Sequence, residues 1–197
     1  LTEVLDVPGV GSFEVSLVNA GNPAVIIEAR SVGLRGDELQ QDINRDAALL
    51  ARCEAIRAHG AVAMKLAQSA GDATRNRPAT PKLAFIAPPA AYTASSGKAV
   101  TAAMVDLNVR MLSMGALHHA LPGTGAITMG VAGALPGTLV HRIARASGWT
   151  GSVLRVGHPS GTLTVAAEVE QAGEQWNVLK VSVSRSARRL MVGHVLV

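Results

Sequence analysis

The sequence predicts an α+β fold in which strands and helices share one core. Three patterns indicate it: an apolar repeat at helical spacing over residues 46–66, small apolar residues around a Pro-Gly-Thr-Gly centre within residues 117–135, and several strand-like segments in the last third. With 197 residues, of which 48% are hydrophobic, the chain has enough apolar material for one core, or for two small lobes that share one.

The helix over residues 46–66 is the best supported, because Ala, Leu, Arg and Glu are strong helix formers and Asp46 lies in its first turn. A second, buried helix is predicted to begin at the Pro-Gly-Thr-Gly centre. Residues 71–81 and 92–98 are predicted loops, the latter exposed. Apolar alternation and short apolar runs predict strands over residues 12–18, 24–29, 82–87, 105–111, 138–143, 152–156, 162–170, 176–183 and 190–197.

Composition argues against a membrane partner and against a nucleic-acid partner. No segment approaches the roughly 20 apolar residues of a membrane helix, because the Ala-rich runs are broken by Lys65, Lys82, Arg110 and His118. The net charge of +4 and the pI near 9.8 would suit nucleic acid, but only 3% of the residues are aromatic. We therefore expect neither partner, and binding of small anions accounts for the scattered cations.

Cys53 is the only cysteine, which excludes an internal disulfide and a cysteine-based zinc cluster. Since it lies among apolar residues of the predicted helix, we expect a packed thiol and not a nucleophile. Leu1 is followed by neither a signal-peptide nor a transit-peptide pattern. We expect a cytoplasmic protein whose first residue lies inside a longer parent.

The segment 121–126 (LPGTGA) places small residues at the start of the second predicted helix. The first N–H groups of a helix have no partner within it, so such a start favours an anion, for example a substrate carboxylate. Alternatively, Gly123 and Gly125 let the helix pack closely on the sheet. Both interpretations stay open from the spacing alone.

Two turns contain further candidates for ligand binding. The segment 157–161 (GHPSG) could direct the Ser160 hydroxyl and the Gly161 N–H into a cleft, although an ordinary hairpin connection explains the same residues. Asn22, before Pro23, is either a turn former or a side-chain amide that binds a carboxylate. His118 or His119 could line the same cleft, whereas the absence of nearby acidic residues argues against a metal.

The sequence contains no evident pair of nucleophile and base, no Gly-x-Ser-x-Gly segment, no P-loop and no dinucleotide-binding fingerprint. His59, His141 and His194 look like isolated surface or strand residues. Candidates for carboxylate binding, with solvated surface charge as the default interpretation of each, are Lys82, Arg110, Arg185, Arg188 and Arg189.

Taken together, these segments resemble the PrpF family, which includes isomerases of 2-methylaconitate and methylitaconate and a tautomerase of 4-oxalomesaconate. The resemblance covers nearly the whole chain and is specific in combination. It rests on residues 5–11 (LDVPGVG), 19–23 (NAGNP), 110–115 (RMLSMG), His118 with residues 123–126 (GTGA), 157–161 (GHPSG) and 184–189 (SRSARR).

The resemblance implies the diaminopimelate-epimerase-like fold, in which two similar lobes, each a curled mixed sheet around a central helix, hold the substrate between them. It implies that residues 1–197 are the C-terminal lobe, and that the last strands either complete this lobe or belong to the absent N-terminal lobe. The related epimerases have an acid/base cysteine before Gly-Thr-Gly, where this sequence has Pro122.

By the same resemblance, the family uses a lysine and a cysteine of the first lobe, and Cys53 does not match that cysteine. No metal and no organic cofactor are implied. What carries over to this chain is substrate binding, by Asn22, Arg110, Ser113, Thr124, Gly125, Ser160 and Gly161.

We therefore expect an isomerase lobe that supplies the carboxylate-binding side for an allylic proton shift in small dicarboxylic or tricarboxylic acids. Fixed donors that hold carboxylate charge lower the barrier to C–H ionisation by a base on the other lobe. A non-catalytic polycarboxylate-binding module is the alternative. The expected partners are the small polycarboxylate and either the missing N-terminal lobe or a second copy of the chain.

Overall fold

The computed structural model describes residues 1–151, 153–173, 175–184 and 189–193. Its strands are β1 (Glu3–Val7), β2 (Gly11–Ala20), β3 (Asn22–Glu28), β4 (Lys82–Ala87), β5 (Tyr92–Thr93), β6 (Ala99–Val100), β7 (Leu107–Ser113), β8 (Ala116–Leu117), β9 (Val153–His158), β10 (Gly161–Ala172) and β11 (Gln175–Val183). Its α-helices are α1 (Gln40–Asn44), α2 (Ala47–Ala63), α3 (Ala70–Asn76), α4 (Gly123–Ala134) and α5 (Leu139–Ala146).

Nine of these strands form one mixed sheet, in the order β1-β2-β3-β4-β7-β9-β10-β11 with β8 paired to β7, while β5 and β6 form a separate hairpin. The pairs β3/β4 and β7/β9 are parallel, and helices lie in the connections between them. All other pairs are antiparallel. The α+β class predicted from the sequence is confirmed.

Alternate residues of the central strands face two different helices, as the pleat of a strand requires. Ile26, Ala84 and Met111 pack in the cluster that contains α4, whereas Ile27, Phe85 and Leu112 pack in the cluster that contains α2. Helix α4 contacts β2 and β3 near one edge of the sheet and β10 and β11 at the other edge. The sheet therefore curves around α4.

Helix α2 begins and packs as its sequence predicts. The Asp46 carboxylate accepts a hydrogen bond from the Leu49 N–H over 2.9 Å and so caps the first turn. Cys53 and Ile56 are buried on the face toward the sheet, and Gly60 lies so close to Val25 that a Cβ at Gly60 would overlap that side chain. The packed thiol expected at Cys53 is confirmed.

Two predictions of local structure are wrong. Residues 71–81 were predicted to be a loop, but the first part of this segment belongs to helix α3. Residues 138–143 were predicted to be a strand, but most of them belong to helix α5. In α3 the Ser69 hydroxyl accepts a hydrogen bond from the Asp72 N–H. In α5 the Thr138 hydroxyl likewise accepts one from the His141 N–H. These N-caps favour helices in both segments over the predicted conformations.

Two smaller predictions also need correction, and a third falls partly outside the described residues. The exposed loop predicted over residues 92–98 instead begins with strand β5, in which Tyr92 is partly buried, and Ala94 is buried. Residues 190–193 are not part of a strand, and residues 194–197 of that predicted strand, with His194, lie outside the described residues. Ser152 lies outside them too, and β9 begins at Val153.

Within the described ranges no single helix is long and apolar enough to cross a membrane. Helices α4 and α5 meet the length and composition test only as a pair, and they are bent by 70° relative to each other.

Candidate functional site

Strand directions place most of the candidate residues at one end of the sheet. Strands β3 and β4 are parallel and both begin at this end, β7 runs antiparallel to β4 and ends there, and β9 ends beside β7. Asn22, Lys82 and Ser113 therefore lie at the same end of the sheet. Strand β9 runs toward this end but pairs with β7 only at Leu107 and Asn108, so the turn formed by Pro159 and Ser160 lies short of it.

Helix α4 begins at this end without a side-chain cap. Pro122 is its N-cap residue and offers no side-chain hydrogen bond, and its carbonyl accepts the Ala126 N–H over 2.8 Å. The N–H groups of Gly123, Thr124 and Gly125 precede the first intrahelical bond, so they are available to an external acceptor. Their partial positive charge favours an anion at this position.

Thr128 fixes the start of α4 to the turn between β2 and β3. Its hydroxyl, fully buried, lies 2.7 Å from the Ala20 carbonyl oxygen, 2.8 Å from that of Asn22 and 3.1 Å from that of Thr124. Gly21 fits against the same turn of α4, because a Cβ there would lie 2.8 Å from Ile127 Cγ2. Asn22 and the uncapped helix start are therefore neighbours.

The Asn22 side-chain oxygen is buried and receives no hydrogen bond from the described residues. The turn-former interpretation required this oxygen to bond to a nearby backbone N–H. Since it does not, the structure gives no support to the turn-former interpretation. In the alternative, a carboxylate would accept from the Asn22 NH2 group and not meet this oxygen, because both oxygens are acceptors.

The two glycines of the Gly-Thr-Gly segment have different surroundings. Gly125 is buried against β7, and a Cβ there would lie 2.5 Å from Met111 Sδ, so close packing requires glycine at this position. Gly123 and Thr124 are exposed. The packing interpretation therefore fits Gly125, and the anion-binding interpretation fits the first turn that Gly123 and Thr124 present to solvent.

Lys82 and Ser113 form a pair on adjacent strands. Lys82 Nζ donates to Ser113 Oγ over 2.7 Å, and Lys82 is only 9% exposed. Burial lowers the pKa of Lys82 from its ordinary value. The interpretation of Lys82 as solvated surface charge is wrong.

The segment 157–161 forms the hairpin between β9 and β10, in which His158 pairs with Gly161. The hairpin interpretation is confirmed, and the loop also orients side chains. Ser160 Oγ lies 3.2 Å from His158 Nδ1. Burial, and then the nearby Arg110 charge, lower the pKa of His158 to about 4, so its imidazole is neutral near neutral pH and can accept the Ser160 hydroxyl proton in a hydrogen bond.

Arg110 is not brought together with the other candidates. It is fully buried on the face of β7 opposite α4, where Nε donates to the Glu38 carbonyl and Nη1 to the Val109 carbonyl over 2.9 Å. Its Nη2 has no hydrogen-bond partner among the described residues. The surface-charge interpretation is wrong here as well. Arg110 lies over the Tyr92 ring, and the Tyr92 hydroxyl in turn bonds to the hairpin.

His119 lines a cavity of about 250 Å³ beside the hairpin, whereas His118 is engaged locally. The other residues of that cavity are Leu39, Gln40, Gln41, Ser95 and Pro159. His118 Nδ1 lies 3.0 Å from the Ala120 carbonyl oxygen, and the two imidazoles stack with their centres 5.0 Å apart. Of the two histidines, His119 is the one in a position to meet a ligand.

The remaining histidines and the basic run lie elsewhere. His59 and His141 are partly buried on α2 and α5, where each contacts a backbone carbonyl. Arg189 is exposed, and Arg185 and Arg188 lie outside the described residues. Within the described part of the chain, no three His, Cys, Asp or Glu side chains come together as metal ligands would.

The fold and site thus define an α+β protein with an uncapped helix start, an amide and a lysine–serine pair at one end of a curved mixed sheet. Comparison with known proteins identifies the family. The chain belongs to the PrpF family, since the family model described as PrpF protein matches residues 1–197.

Named relatives of this chain are isomerases. A 2-methyl-aconitate isomerase of Shewanella oneidensis is 52% identical over 197 residues, which are 100% of this chain and 49% of that protein. A 3-methylitaconate isomerase of Eubacterium barkeri is 36% identical over 188 residues, or 95% of this chain and 48% of that protein. The chain spans about half the length of the curated relatives it matches.

A solved structure shows the same fold. The crystal structure of a methylitaconate-delta-isomerase superposes with a TM-score of 0.80 at 30% sequence identity, and the match covers 93% of this chain and 49% of that chain.

Sequence reasoning did not select Tyr92 or His158 for the site, and it named Lys82 only as a candidate for carboxylate binding with surface charge as the default interpretation. Lys82 stands at the head of a short apolar strand, a position where burial could have been suspected. Tyr92 is the only tyrosine of a chain poor in aromatics, and His158 lies inside a segment already selected for its serine and glycine.

Proposed function

We propose that this chain is the carboxylate-binding lobe of an isomerase that moves a proton along an allylic system in small dicarboxylic or tricarboxylic acids, such as 2-methylaconitate or oxalomesaconate. The uncapped start of α4, which Thr128 holds beside Asn22, is the observation on which the proposal rests. The names of the relatives support this class of substrate.

In this proposal the lobe holds negative charge and the other lobe moves the proton. The N–H groups of residues 123–125 bind a carboxylate of the substrate, and the Ser160 hydroxyl, oriented by His158, contacts another part of the substrate from the hairpin. Fixed donors of this kind stabilise the charge that develops when a C–H bond ionises. Pro122 offers no acid/base group, so the base and the acid come from the partner lobe.

The proposed partner is the N-terminal lobe of the diaminopimelate-epimerase-like fold or, in its absence, a second copy of this chain. Val178 and Leu179 on β11 are 45% and 60% exposed, which leaves apolar surface for a partner. Sedimentation velocity of the chain alone tests whether two copies of the chain pair. A monomer at every concentration would argue against pairing of two copies.

The test measures binding and turnover separately. Titration calorimetry of the chain with trans-aconitate is expected to show binding, and Ser160→Ala is expected to weaken it. Addition of a first-lobe fragment is then expected to produce double-bond migration that neither fragment gives alone. Absence of binding at millimolar ligand would overturn the proposal, whereas binding without turnover in the mixture would favour the non-catalytic binding module.

A further inference from the structure

Lys82 is a buried cation without an anionic partner in the described part of the chain. No carboxylate oxygen of those residues lies within 4.0 Å of its ammonium. Its contacts are the Ser113 hydroxyl at 2.7 Å and, more weakly, the Ala79 carbonyl oxygen at 3.5 Å. A buried ammonium is costly unless an opposite charge compensates for it. Because no carboxylate of the described residues balances the Lys82 charge, we expect the ligand to supply the anion.

The position of Lys82 directs its charge toward the candidate site. Lys82 is in register with Ala24 of β3, two residues from Asn22, and it bonds to Ser113 of β7. Since side chains alternate along a strand, Lys82 and Ser113 belong to the face that packs on α4, as Ala24 and Met111 do. Met111 also contacts Gly125 in the first turn of α4.

The opposite side of Ser113 does not offer room for a ligand. There the cavity bordered by Cys53, Arg57 and Leu112 has a volume of only about 10 Å³, which holds one water molecule at most. An anion does not fit on that side of Ser113, and the face of Lys82 toward the start of α4 is the approach that the geometry favours.

We propose that the Lys82 ammonium binds one carboxylate of the substrate, and that Ser113 is a positioning residue whose hydroxyl accepts a hydrogen bond from the ammonium and holds it there. This inference rests on the proposed function, in which the N–H groups at the start of α4 bind another carboxylate. Two separate anion-binding groups select ligands with two or more carboxylates over monocarboxylates. Burial lowers the pKa of Lys82 in the free protein, and a bound carboxylate would raise it again.

Calorimetric titration with trans-aconitate tests the inference on the whole chain. Lys82→Met is expected to weaken binding by at least about tenfold, because a charged hydrogen bond is lost. Lys180→Met is the matched control, since Lys180 is exposed on β11 and lies 3.8 Å from Glu168, away from the site. It is expected to bind as the unsubstituted chain does.

The possible outcomes separate the two proposals. Equal binding by Lys82→Met and the unsubstituted chain would overturn the role of Lys82 and leave the proposed function intact, whereas no binding by the unsubstituted chain would overturn both. If Lys82→Met does not fold, NMR titration of the Lys82 side chain in the unsubstituted protein tests whether Lys82 binds the ligand. A pKa that rises on saturation with trans-aconitate supports the inference, and an unchanged pKa overturns it.

Discussion

The guanidinium carbon of Arg110 lies 4.8 Å from the centre of the Tyr92 ring, and the Tyr92 hydroxyl in turn lies 2.8 Å from the His158 carbonyl oxygen and 2.6 Å from that of Gly161. A buried cation on β7 thus supports the β9–β10 hairpin through one aromatic side chain. This contact makes Arg110 relevant to the position of Ser160 although it does not reach the site itself.

Tyr92→Phe separates the two contacts of this residue. Phenylalanine keeps a ring beneath Arg110 but removes the donor to the hairpin carbonyls, so we expect a loss of about 1 kcal/mol in the free energy of unfolding. Tyr92→Leu removes the cation–π contact as well and is expected to cost more. Urea unfolding compares the variants, and identical midpoints for Tyr92→Phe and the unsubstituted protein would contradict the role given to the hydroxyl.

His158 is expected to make stability depend on pH. Its folded-state pKa of about 4 lies below the ordinary value of 6.5, so the unfolded chain binds the proton more readily. The stabilisation from neutral His158 is complete above about pH 6.5 and is lost as the pH falls toward about 4, by an amount on the order of 3 kcal/mol.

The measurement is urea unfolding of the protein and of His158→Gln across this pH range. The glutamine variant can still accept a hydrogen bond from Ser160 but does not titrate, so the difference between the two proteins isolates His158 from carboxylates that titrate lower. Arg110 is the cationic neighbour that disfavours the charged imidazole, and the His119 side chain also lies nearby. Parallel pH profiles for the two proteins would show that His158 does not account for the dependence.

Cys53 is expected to be unreactive in the native protein. Burial raises its pKa to about 12, and the side chain is 2% exposed. At about pH 8 its thiolate fraction is then about a thousandfold smaller than that of a thiol with the ordinary value, before access is considered. A disulfide reagent should modify Cys53 only after urea unfolds the chain, and rapid labelling without urea would contradict the burial described here.

The central sheet could be predicted from sequence because its strands are short apolar runs between turn residues. The prediction for residues 82–87 agrees with β4 at both ends. The strand prediction for residues 138–143 is wrong, because apolar alternation over a few residues is not enough to distinguish a strand from a helix. In the structure, Leu139, Val140, Ile143 and Ala144 are buried on one face of helix α5. Helix α3 was predicted to be a loop because its residues are polar, and the capping role of Ser69 was not recognised.

The site was predictable where it depends on local backbone and unpredictable where it depends on register. The uncapped start of α4 follows from the residues around Thr124 alone. The pair of Lys82 with Ser113 instead requires that β4 and β7 be neighbours in one register, which links residues 31 positions apart. The burial of Arg110 on the face opposite α4 depends on the same pairing of β7 with β4.

The uncapped helix start allows a direct test of anion binding by backbone N–H groups. Gly123→Pro removes one of these groups at the first helical position, which proline favours, and Pro122 already has the extended conformation that must precede a proline, with ψ of 144°. We therefore expect the variant to unfold no more readily than the parent and to bind trans-aconitate about tenfold more weakly. Gly123→Ala keeps the N–H group and is expected to retain binding. Equal weakening by both variants would assign the effect to the side chain and would contradict a role for the N–H group.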